Sequence, residues 1–287
     1  MSEISAVGVI GAGTMGSGIA HVFARAGFAV ALCDVEQRFL DRALAQIRTN
    51  LEREAAKGKL PPTEIEPALA RITTTLDCES LSGGEFPPQF VIEAASERFE
   101  LKAELFRVLD RIMPESAILA TNTSSISITR LAAQTGRPAQ VVGMHFFNPV
   151  PVMALVEVVR GLATSDASVA AVRELALKLG KTPIEVNDAP GFVSNRVLMP
   201  LINEAAFAVM EGVATAEAVD QVFRLGMAHP MGPLTLADLI GLDVCVDIMR
   251  VLQEGFGDPK YSPCPLLVRM VDAGSLGRKS GRGFYAY

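Results

Sequence analysis

The stretch Val7–Ala20 joins an apolar run of strand length to a glycine-rich turn, and residues that favour a helix follow. Gly11, Gly13 and Gly16 have the G-x-G-x-x-G spacing. In this pattern the first glycine allows a tight turn, the second lets a pyrophosphate approach the backbone, and the third lets the helix pack on the strand. The helix N-terminus offers N–H groups and a positive dipole end to phosphates. The stretch therefore predicts a strand, a phosphate-binding loop and a helix.

A second apolar run, Phe28–Cys33, ends at Asp34, roughly 20 residues after the glycines. The acid that binds the adenosine ribose of a dinucleotide belongs at this distance. Strand, loop, helix and acid in register favour a dinucleotide site over a plain βαβ turn, which stays the alternative for the glycines alone. Asp34 would repel a 2′-phosphate and so favours NAD, although nearby Arg38 leaves NADP open.

Length, composition and charge limit the classes of protein to consider. A chain of 287 residues favours two domains, and 49% hydrophobic residues suffice for a sizeable core. The formal net charge of −6 leaves no basic footprint, so we expect no nucleic acid partner. Four cysteines lie far apart without a C-x-x-C pair, and three histidines are scattered. We therefore expect neither a disulfide framework nor a metal site.

The sequence shows neither the pattern of a membrane span nor that of a secretory signal. Every apolar run is shorter than the roughly 18 residues of a membrane span, so we expect no membrane contact. The first residues hold no basic region followed by an apolar stretch, which predicts no secretory signal. A cytoplasmic location is the resulting expectation.

Strand-like and helix-like segments alternate along the first two thirds of the chain, up to a strand pattern at Thr182–Val186. A long polar helix is predicted for about residues 35–57, projecting as a hairpin with residues 63–70. After a break at Pro190-Gly191 only helical patterns follow. The sequence thus predicts an α/β fold. A Rossmann-like, doubly wound and mostly parallel sheet would occupy residues 1–188, and a second, all-α domain residues 189–287.

Two strand-like segments carry residues suited to acid–base chemistry. His145 ends one of them, and an imidazole titrates near neutral pH, as a base for an alcohol proton should. Glu157 stands inside the apolar run of the next, where an unpaired carboxylate would be costly. If the second strand runs back alongside the first, Glu157 orients His145. The alternatives are a structural histidine and a Glu157 paired with an arginine such as Arg160.

Three further polar residues can take part in the same chemistry. Ser124 follows a short strand, at the sheet edge where open α/β folds bind ligands. Asn195 lies just past the domain break, and both side chains can donate hydrogen bonds to a substrate oxygen. Asn148 follows His145 closely and precedes Pro149, so a simple turn residue is the alternative there.

Taken together, these motifs resemble the 3-hydroxyacyl-CoA dehydrogenase family, most closely its short, monofunctional bacterial 3-hydroxybutyryl-CoA dehydrogenases. The resemblance implies reversible hydride transfer from a short-chain (S)-3-hydroxyacyl-CoA to NAD, which yields a 3-oxoacyl-CoA. The matching stretches span the whole chain in order. They are Gly11–Gly16, Glu93–Glu97, Asn122–Ile126, His145–Pro149, Pro190–Arg196 and Arg278–Tyr285.

The resemblance also implies a role for each site residue. His145 would be the general base on the 3-hydroxyl, with Glu157 as its orienting partner. Asn148 would lie beside the nicotinamide and His145, and Ser124 and Asn195 would contact the substrate oxygen and thioester. The implied NAD-binding residues are Gly11, Ala12, Gly13, Thr14, Met15, Gly16, Asp34, Ala94, Glu97, Lys102, Asn122, Ser124 and Asn148. The C-terminal helices would form a homodimer and close the cleft.

Two lysines at the tip of the predicted helical hairpin are further candidates for substrate binding. Lys57 and Lys59 could meet the anionic phosphates of CoA, and a solvated helix end is the alternative. Two rival functions stay open. One is oxidation of a free 3-hydroxy acid on the same fold, and the other is a non-catalytic NAD-binding protein.

Overall fold

The computed structural model describes residues 4–82 and 87–287. The chain divides into two units, here called unit 1 (residues 1–188) and unit 2 (residues 189–287). In the described part of unit 1, eight strands form one sheet. The strands are β1 (Ala6–Ile10), β2 (Ala29–Cys33), β3 (Ile72–Thr75), β4 (Phe90–Glu93), β5 (Ile118–Thr121), β6 (Val141–Phe146), β7 (Leu155–Arg160) and β8 (Thr182–Asn187).

The strand order is β3-β2-β1-β4-β5-β6-β7-β8. Neighbouring strands are parallel, except that β6 and β7 are antiparallel. Chain order reverses at β1, which lies between β2 and β4, and this is the switch point where doubly wound sheets bind ligands. The predicted α/β class and the mostly parallel, doubly wound sheet are confirmed.

Helices connect the strands of unit 1 and cover the sheet. They are α1 (Thr14–Arg25), α2 (Gln37–Ala56), α3 (Ile65–Ala70), α4 (Phe99–Ile112), α5 (Ile128–Ala132) and α6 (Asp166–Lys178). As predicted, α2 is long and polar and forms a hairpin with α3. An ion pair joins them, with Arg48 Nη1 2.5 Å and Nη2 3.2 Å from the two carboxylate oxygens of Glu66.

The core of unit 1 explains why its first strand is apolar along its whole length. All five residues of β1 are buried, as a strand covered on both faces requires. On α1 the fully buried Phe23 meets Phe28 edge to face at 5.4 Å between ring centroids, and it meets Phe90 of β4 at 6.2 Å. These contacts fix α1, and with it the glycine turn, against the middle of the sheet.

Helices build the described residues of unit 2. They are α7 (Ser194–Met210), α8 (Ala216–Gln221), α9 (Pro233–Ile240), α10 (Leu242–Phe256) and α11 (Pro265–Asp272), with a π-helical turn at Val222–Gly226. Two buried aspartates hold the C-terminal tail. Asp238 accepts the backbone N–H groups of Phe284 and Tyr285 at 3.0 Å each, and Asp220 accepts the Tyr285 hydroxyl at 2.8 Å. Residues 278–282, which hold two arginines and a lysine, therefore lead into a packed tail.

Across residues 4–82 and 87–287, no helix combines the length and the apolar character needed to cross a bilayer.

Candidate active site

The glycine loop adopts a conformation that its glycines make possible. Gly11 has φ +98°, and a Cβ there would lie 2.9 Å from the carbonyl carbon of Ala94. A Cβ on Gly16 would collide with the carbonyl oxygen of Gly11, so the third glycine allows α1 to approach the turn. Gly13, the N-cap of α1, has no atom within 4 Å of an added Cβ. Its open side leaves room for a phosphate at the N-terminus of the helix.

Asp34 is tied to this loop by a hydrogen bond. Its Oδ2 accepts the backbone N–H of Ala12 at 2.7 Å, and the N–H of Gly11 donates to the carbonyl of Cys33 at 2.7 Å. The carboxylate is thereby held at the end of β2, beside the turn. The cradle at Gly13 and the adjacent acid fit the pyrophosphate and ribose of a dinucleotide.

His145 and Glu157 form the centre of the site. The antiparallel pairing of β6 and β7 places the two residues directly opposite each other. His145 Nδ1 lies 2.8 Å from Glu157 Oε2, and the side chains are 7% and 3% exposed. Arg160, the alternative partner, instead pairs with Asp166 and Glu185 at 2.8 Å each.

Ser124 faces the other nitrogen of the imidazole. Its Oγ lies 3.1 Å from His145 Nε2. Asn122, at the end of β5, accepts the backbone N–H of Phe146 at 2.8 Å and so joins the segment before Ser124 to β6. Ser124, His145 and Glu157 thus form one continuous chain of polar contacts within unit 1.

Glu97 holds the loop that carries Ser124. Its Oε1 accepts the Thr123 hydroxyl at 2.5 Å, the Ser124 N–H at 2.9 Å and the Ser125 hydroxyl at 3.0 Å. Burial raises the pKa of Glu97, but the charge of Lys102 and these hydrogen bonds outweigh it, so that the pKa lies below its ordinary value. The carboxylate is therefore a stable acceptor for the loop at neutral pH.

Lys102 and Glu93 form a buried ion pair beside Glu97. Lys102 Nζ lies 2.7 and 2.9 Å from the two oxygens of Glu93, and it donates to the carbonyl of Ala95 at 3.1 Å. Glu93 also accepts the Thr121 hydroxyl at 2.7 Å and the Ala95 N–H at 2.6 Å. The sequence analysis did not identify Glu93 as the partner of Lys102. The available signal was a charged residue within an apolar strand, which needs a partner when it is buried.

Asn148 is exposed at the start of the connection between β6 and β7, before a cis peptide bond to Pro149. Lys181 anchors the rest of this connection, because its buried Nζ donates to the carbonyls of Val150 at 2.5 Å and Met153 at 2.7 Å. Val150 packs on α1 at Gly18, where a Cβ would lie 2.8 Å from the Val150 Cβ. The turn is thus fixed from both sides.

A cleft of about 320 Å³ opens in unit 1 between the glycine loop, α2 and this turn. Arg42, Gln46 and Asn50 line its α2 wall, and Asn148 lines the opposite side. The three residues are spaced by four, so they share one face of the helix. Sequence reasoning missed them as site residues, and this spacing just after Asp34 was the available signal.

The remaining predicted residues lie away from the imidazole or in the other unit. Lys57 and Lys59 are exposed where α2 ends. Asn195 belongs to unit 2, in the first turn of α7, where its backbone N–H donates to the carbonyl of Gly191 at 3.1 Å. The parts of the chain that the structure describes contain no cluster of three or more His, Cys, Asp or Glu side chains arranged to hold a metal ion.

Comparison with known proteins places this geometry in a family. Residues 6–189 match the 3-hydroxyacyl-CoA dehydrogenase NAD binding domain, and residues 191–287 match the C-terminal domain of 3-hydroxyacyl-CoA dehydrogenase. The chain belongs to the 3-hydroxyacyl-CoA dehydrogenase family. The resemblance seen in the motifs is confirmed, and NAD is the cofactor of the domain that contains the glycine loop.

Similar proteins in this family cover the chain almost completely. A probable 3-hydroxybutyryl-CoA dehydrogenase of Bacillus subtilis is 55% identical, over 99% of this chain and 98% of that protein. The 3-hydroxybutyryl-CoA dehydrogenase of Bradyrhizobium diazoefficiens is 51% identical, over 99% and 96%. The crystal structure of (S)-3-hydroxybutyryl-CoA dehydrogenase from Ralstonia eutropha has a TM-score of 0.95 and 49% identity, covering 99% of each chain.

Proposed function

We propose that this protein catalyses the reversible, NAD-dependent oxidation of (S)-3-hydroxybutyryl-CoA to acetoacetyl-CoA. The proposal rests on the series of polar contacts from Ser124 through His145 to Glu157. It is supported by the 55% identity to the probable 3-hydroxybutyryl-CoA dehydrogenase of Bacillus subtilis. A protein that only binds NAD has no need of an imidazole held in this way, which argues against the non-catalytic alternative.

His145 is proposed as the general base. An ionised carboxylate can only accept hydrogen bonds, so Glu157 at 2.8 Å holds the proton on Nδ1 and leaves Nε2 as the basic nitrogen. Nε2 takes the proton of the substrate 3-hydroxyl as the C3–H bond breaks. The imidazolium that results is stabilised by the buried Glu157. In the reverse direction it returns the proton to the carbonyl oxygen.

Ser124 is proposed to position the reacting oxygen. Its hydroxyl lies 3.1 Å from Nε2, so a substrate oxygen seated between them can bond to both groups. Bound NAD would supply the acceptor for the hydride of C3. The glycine loop and Asp34 are proposed to hold the cofactor, with Glu97, Lys102, Asn122 and Asn148 toward its nicotinamide end. A contact of Asn195 with the substrate oxygen or thioester rests on the family resemblance.

The CoA portion of the substrate is proposed to use the face of α2. Arg42 brings a positive charge to the cleft. Lys57 and Lys59, exposed where the same helix ends, are proposed as further contacts for the CoA phosphates. A free 3-hydroxy acid would use none of these three charges.

The decisive experiment measures NADH consumption with acetoacetyl-CoA, then with free acetoacetate and longer 3-oxoacyl-CoAs. We expect turnover with acetoacetyl-CoA and little with acetoacetate. Preference for acetoacetate would support the free-acid alternative, and NADH binding without turnover of any thioester would support the non-catalytic one. The ratio of kcat/KM for NADH and NADPH tests the preference that Asp34 predicts.

Replacing Arg42 tests the CoA contact. Arg42→Ala should raise KM for acetoacetyl-CoA by roughly tenfold, because one charge-assisted hydrogen bond to a phosphate is lost. Arg48→Ala is the matched control, since Arg48 lies on the same helix but pairs with Glu66. Equal KM values for the two variants would remove Arg42 from the substrate site.

We also propose a homodimer through the helices of unit 2 and a cytoplasmic location. Unit 2 exposes large apolar side chains, among them Val197 (65%), Val213 (74%) and Leu225 (82%). Such residues are typical of a surface that another subunit covers. Light scattering after size exclusion would give twice the 30.5 kDa of one chain if the proposal holds, and the single mass would reject it. Cell fractionation tests the location.

A further inference from the structure

Two of the four cysteines lie in contact although 45 positions separate them in sequence. Cys33 is the last residue of β2, and Cys78 begins a 3-10 turn that follows β3. Their Sγ atoms are 2.7 Å apart, and both are free thiols. A disulfide bond is about 2.05 Å long, so a short approach would join them. Neither thiol takes part in the proposed reaction.

The two thiols differ in how well they are held and in how accessible they are. Cys33 is 1% exposed, and its carbonyl accepts the N–H of Gly11. Its strand is paired on both sides, with β1 and with β3. Cys78 is half-buried and lies on a short turn at the edge of the sheet. A small oxidant can therefore reach Cys78 first, and Cys78 is the partner that can move.

We propose that Cys33 and Cys78 form an oxidation-sensitive dithiol that a peroxide converts to a disulfide, with Cys78 as the attacking and Cys33 as the resolving cysteine. The Cys78 thiolate attacks one peroxide oxygen, so that an S–O bond forms and the O–O bond breaks. The departing hydroxide takes up the proton that the Cys78 thiol released, and it leaves as the first water. The Cys33 sulfur then attacks the sulfenic acid of Cys78. An S–S bond forms, the S–O bond breaks, and the proton of Cys33 leaves in the second water.

The surroundings of the thiols agree with this order. The hydrogen bond from Cys33 lowers the pKa of the Cys78 thiol, although burial and the charges of Asp77 and Asp34 oppose it. The same contact, together with burial, raises the pKa of Cys33. The thiolate is the reactive form of cysteine, so reaction begins at Cys78.

The crosslink would tie the end of β2 to the turn that follows the edge strand β3. Because the adjustment falls on Cys78, the bond between the Cys33 carbonyl and Gly11 stays in place, and with it Asp34. We therefore expect oxidation to add stability to unit 1 while NADH affinity changes by less than about twofold.

The test treats the purified full-length protein with hydrogen peroxide and counts thiols after denaturation. We expect the count to fall from four to two, with recovery in dithiothreitol. Mass spectrometry should find tryptic peptides 26–38 and 72–98 joined by a disulfide. Cys245 and Cys264, both buried in unit 2, are the internal control and should stay reduced. The unfolding midpoint should rise by roughly 5 °C.

Two variants separate the roles of the thiols. In Cys33→Ala nothing resolves the sulfenic acid, so Cys78 should gain two or three oxygen atoms under peroxide. In Cys78→Ser the buried Cys33 should stay reduced. Four thiols in the oxidised wild type, a disulfide between two copies of the chain, equal oxidation of both variants, or an NADH affinity changed tenfold would each overturn the proposal.

Discussion

In the described part of unit 1, the pair Lys102–Glu93 and the pair His145–Glu157 are both buried, but they differ in how completely their polar atoms are used. Lys102 and Glu93 are 1% and 0% exposed, and the Lys102 ammonium contacts Glu93, the carbonyl of Ala95 and, at 3.3 Å, the carboxylate of Glu97. His145 and Glu157 are slightly more open, and Nε2 faces a serine hydroxyl. A substrate hydroxyl can replace that partner, whereas nothing can enter the Glu93 pair without breaking it.

This difference separates the structural ion pair from the pair that we propose for catalysis. Burial of a carboxylate requires compensation in both pairs. A lysine on α4 supplies it to Glu93, and a histidine on the neighbouring strand supplies it to Glu157. Catalysis further requires that one nitrogen of the pair face an exchangeable group. A substitution of His145 should therefore lower kcat, whereas a substitution of Lys102 should lower the free energy of unfolding.

The largest effect on turnover is expected at the imidazole. His145→Gln should lower kcat by roughly 10²–10⁴, because a positioned base contributes that factor. The matched control is His229→Gln, since His229 is exposed in unit 2. Steady-state kinetics with acetoacetyl-CoA and NADH measures both. Near-normal turnover of the His145 variant would mean that the His145–Glu157 pair, like the Lys102–Glu93 pair, takes no part in catalysis.

Breaking the Lys102–Glu93 pair should lower the free energy of unfolding. Lys102→Met leaves the Glu93 carboxylate buried without its cation, and the free energy of unfolding should fall by about 3–5 kcal/mol. The double variant Glu93→Gln/Lys102→Met removes both charges and should recover part of that loss. Urea unfolding followed by circular dichroism measures it. A loss below about 1 kcal/mol, the usual size for exposed pairs, would show that the pair is open to solvent.

Glu157→Gln should have a smaller effect on turnover than removal of the imidazole. The amide keeps the shape but loses a charge-assisted hydrogen bond to Nδ1, which is worth about 10- to 100-fold in rate. The pH profile of kcat/KM should change as well, because the imidazolium loses its counter-charge. An unchanged profile would take Glu157 out of the proposed mechanism.

The smallest effect concerns Glu97, which lies between the two pairs. Its pKa is below the ordinary value near 4.3, so its contribution to stability is present above about pH 4.3 and is lost as pH falls through the folded-state pKa. Thermal unfolding of the wild type and of Glu97→Gln should therefore differ by a few degrees at pH 7. The two midpoints should converge on acidification. A constant difference across that range would contradict the assignment.

Much of unit 1 could be predicted because its signals are local. The glycine spacing and Asp34 follow from a single βαβ segment, and an apolar run interrupted by Glu157 calls for a partner on a neighbouring strand. The pairing of His145 with Glu157 needed only two consecutive strands. Adjacent strands joined by a short connection are the easiest pairing to infer from sequence.

Contacts that depend on strand order could not be predicted in the same way. Cys33 and Cys78 meet because β3 lies beside β2 at the edge of the sheet, whereas the wide spacing of the cysteines in sequence predicted no disulfide framework. Glu93 and Lys102 are close in sequence, but their pairing depends on where α4 starts relative to β4. Spacing alone does not contain that information.

The antiparallel pairing of β6 and β7 has a consequence for how this protein tolerates insertions and deletions. Successive side chains of a strand alternate between faces, so deleting one residue within β7 before Glu157 would turn that carboxylate to the far side of the sheet. Residues added in the connection would leave the alternation along β7 intact, although they would disturb the turn that Lys181 holds at Val150 and Met153. The number of residues within the strand therefore decides whether the imidazole keeps its carboxylate partner.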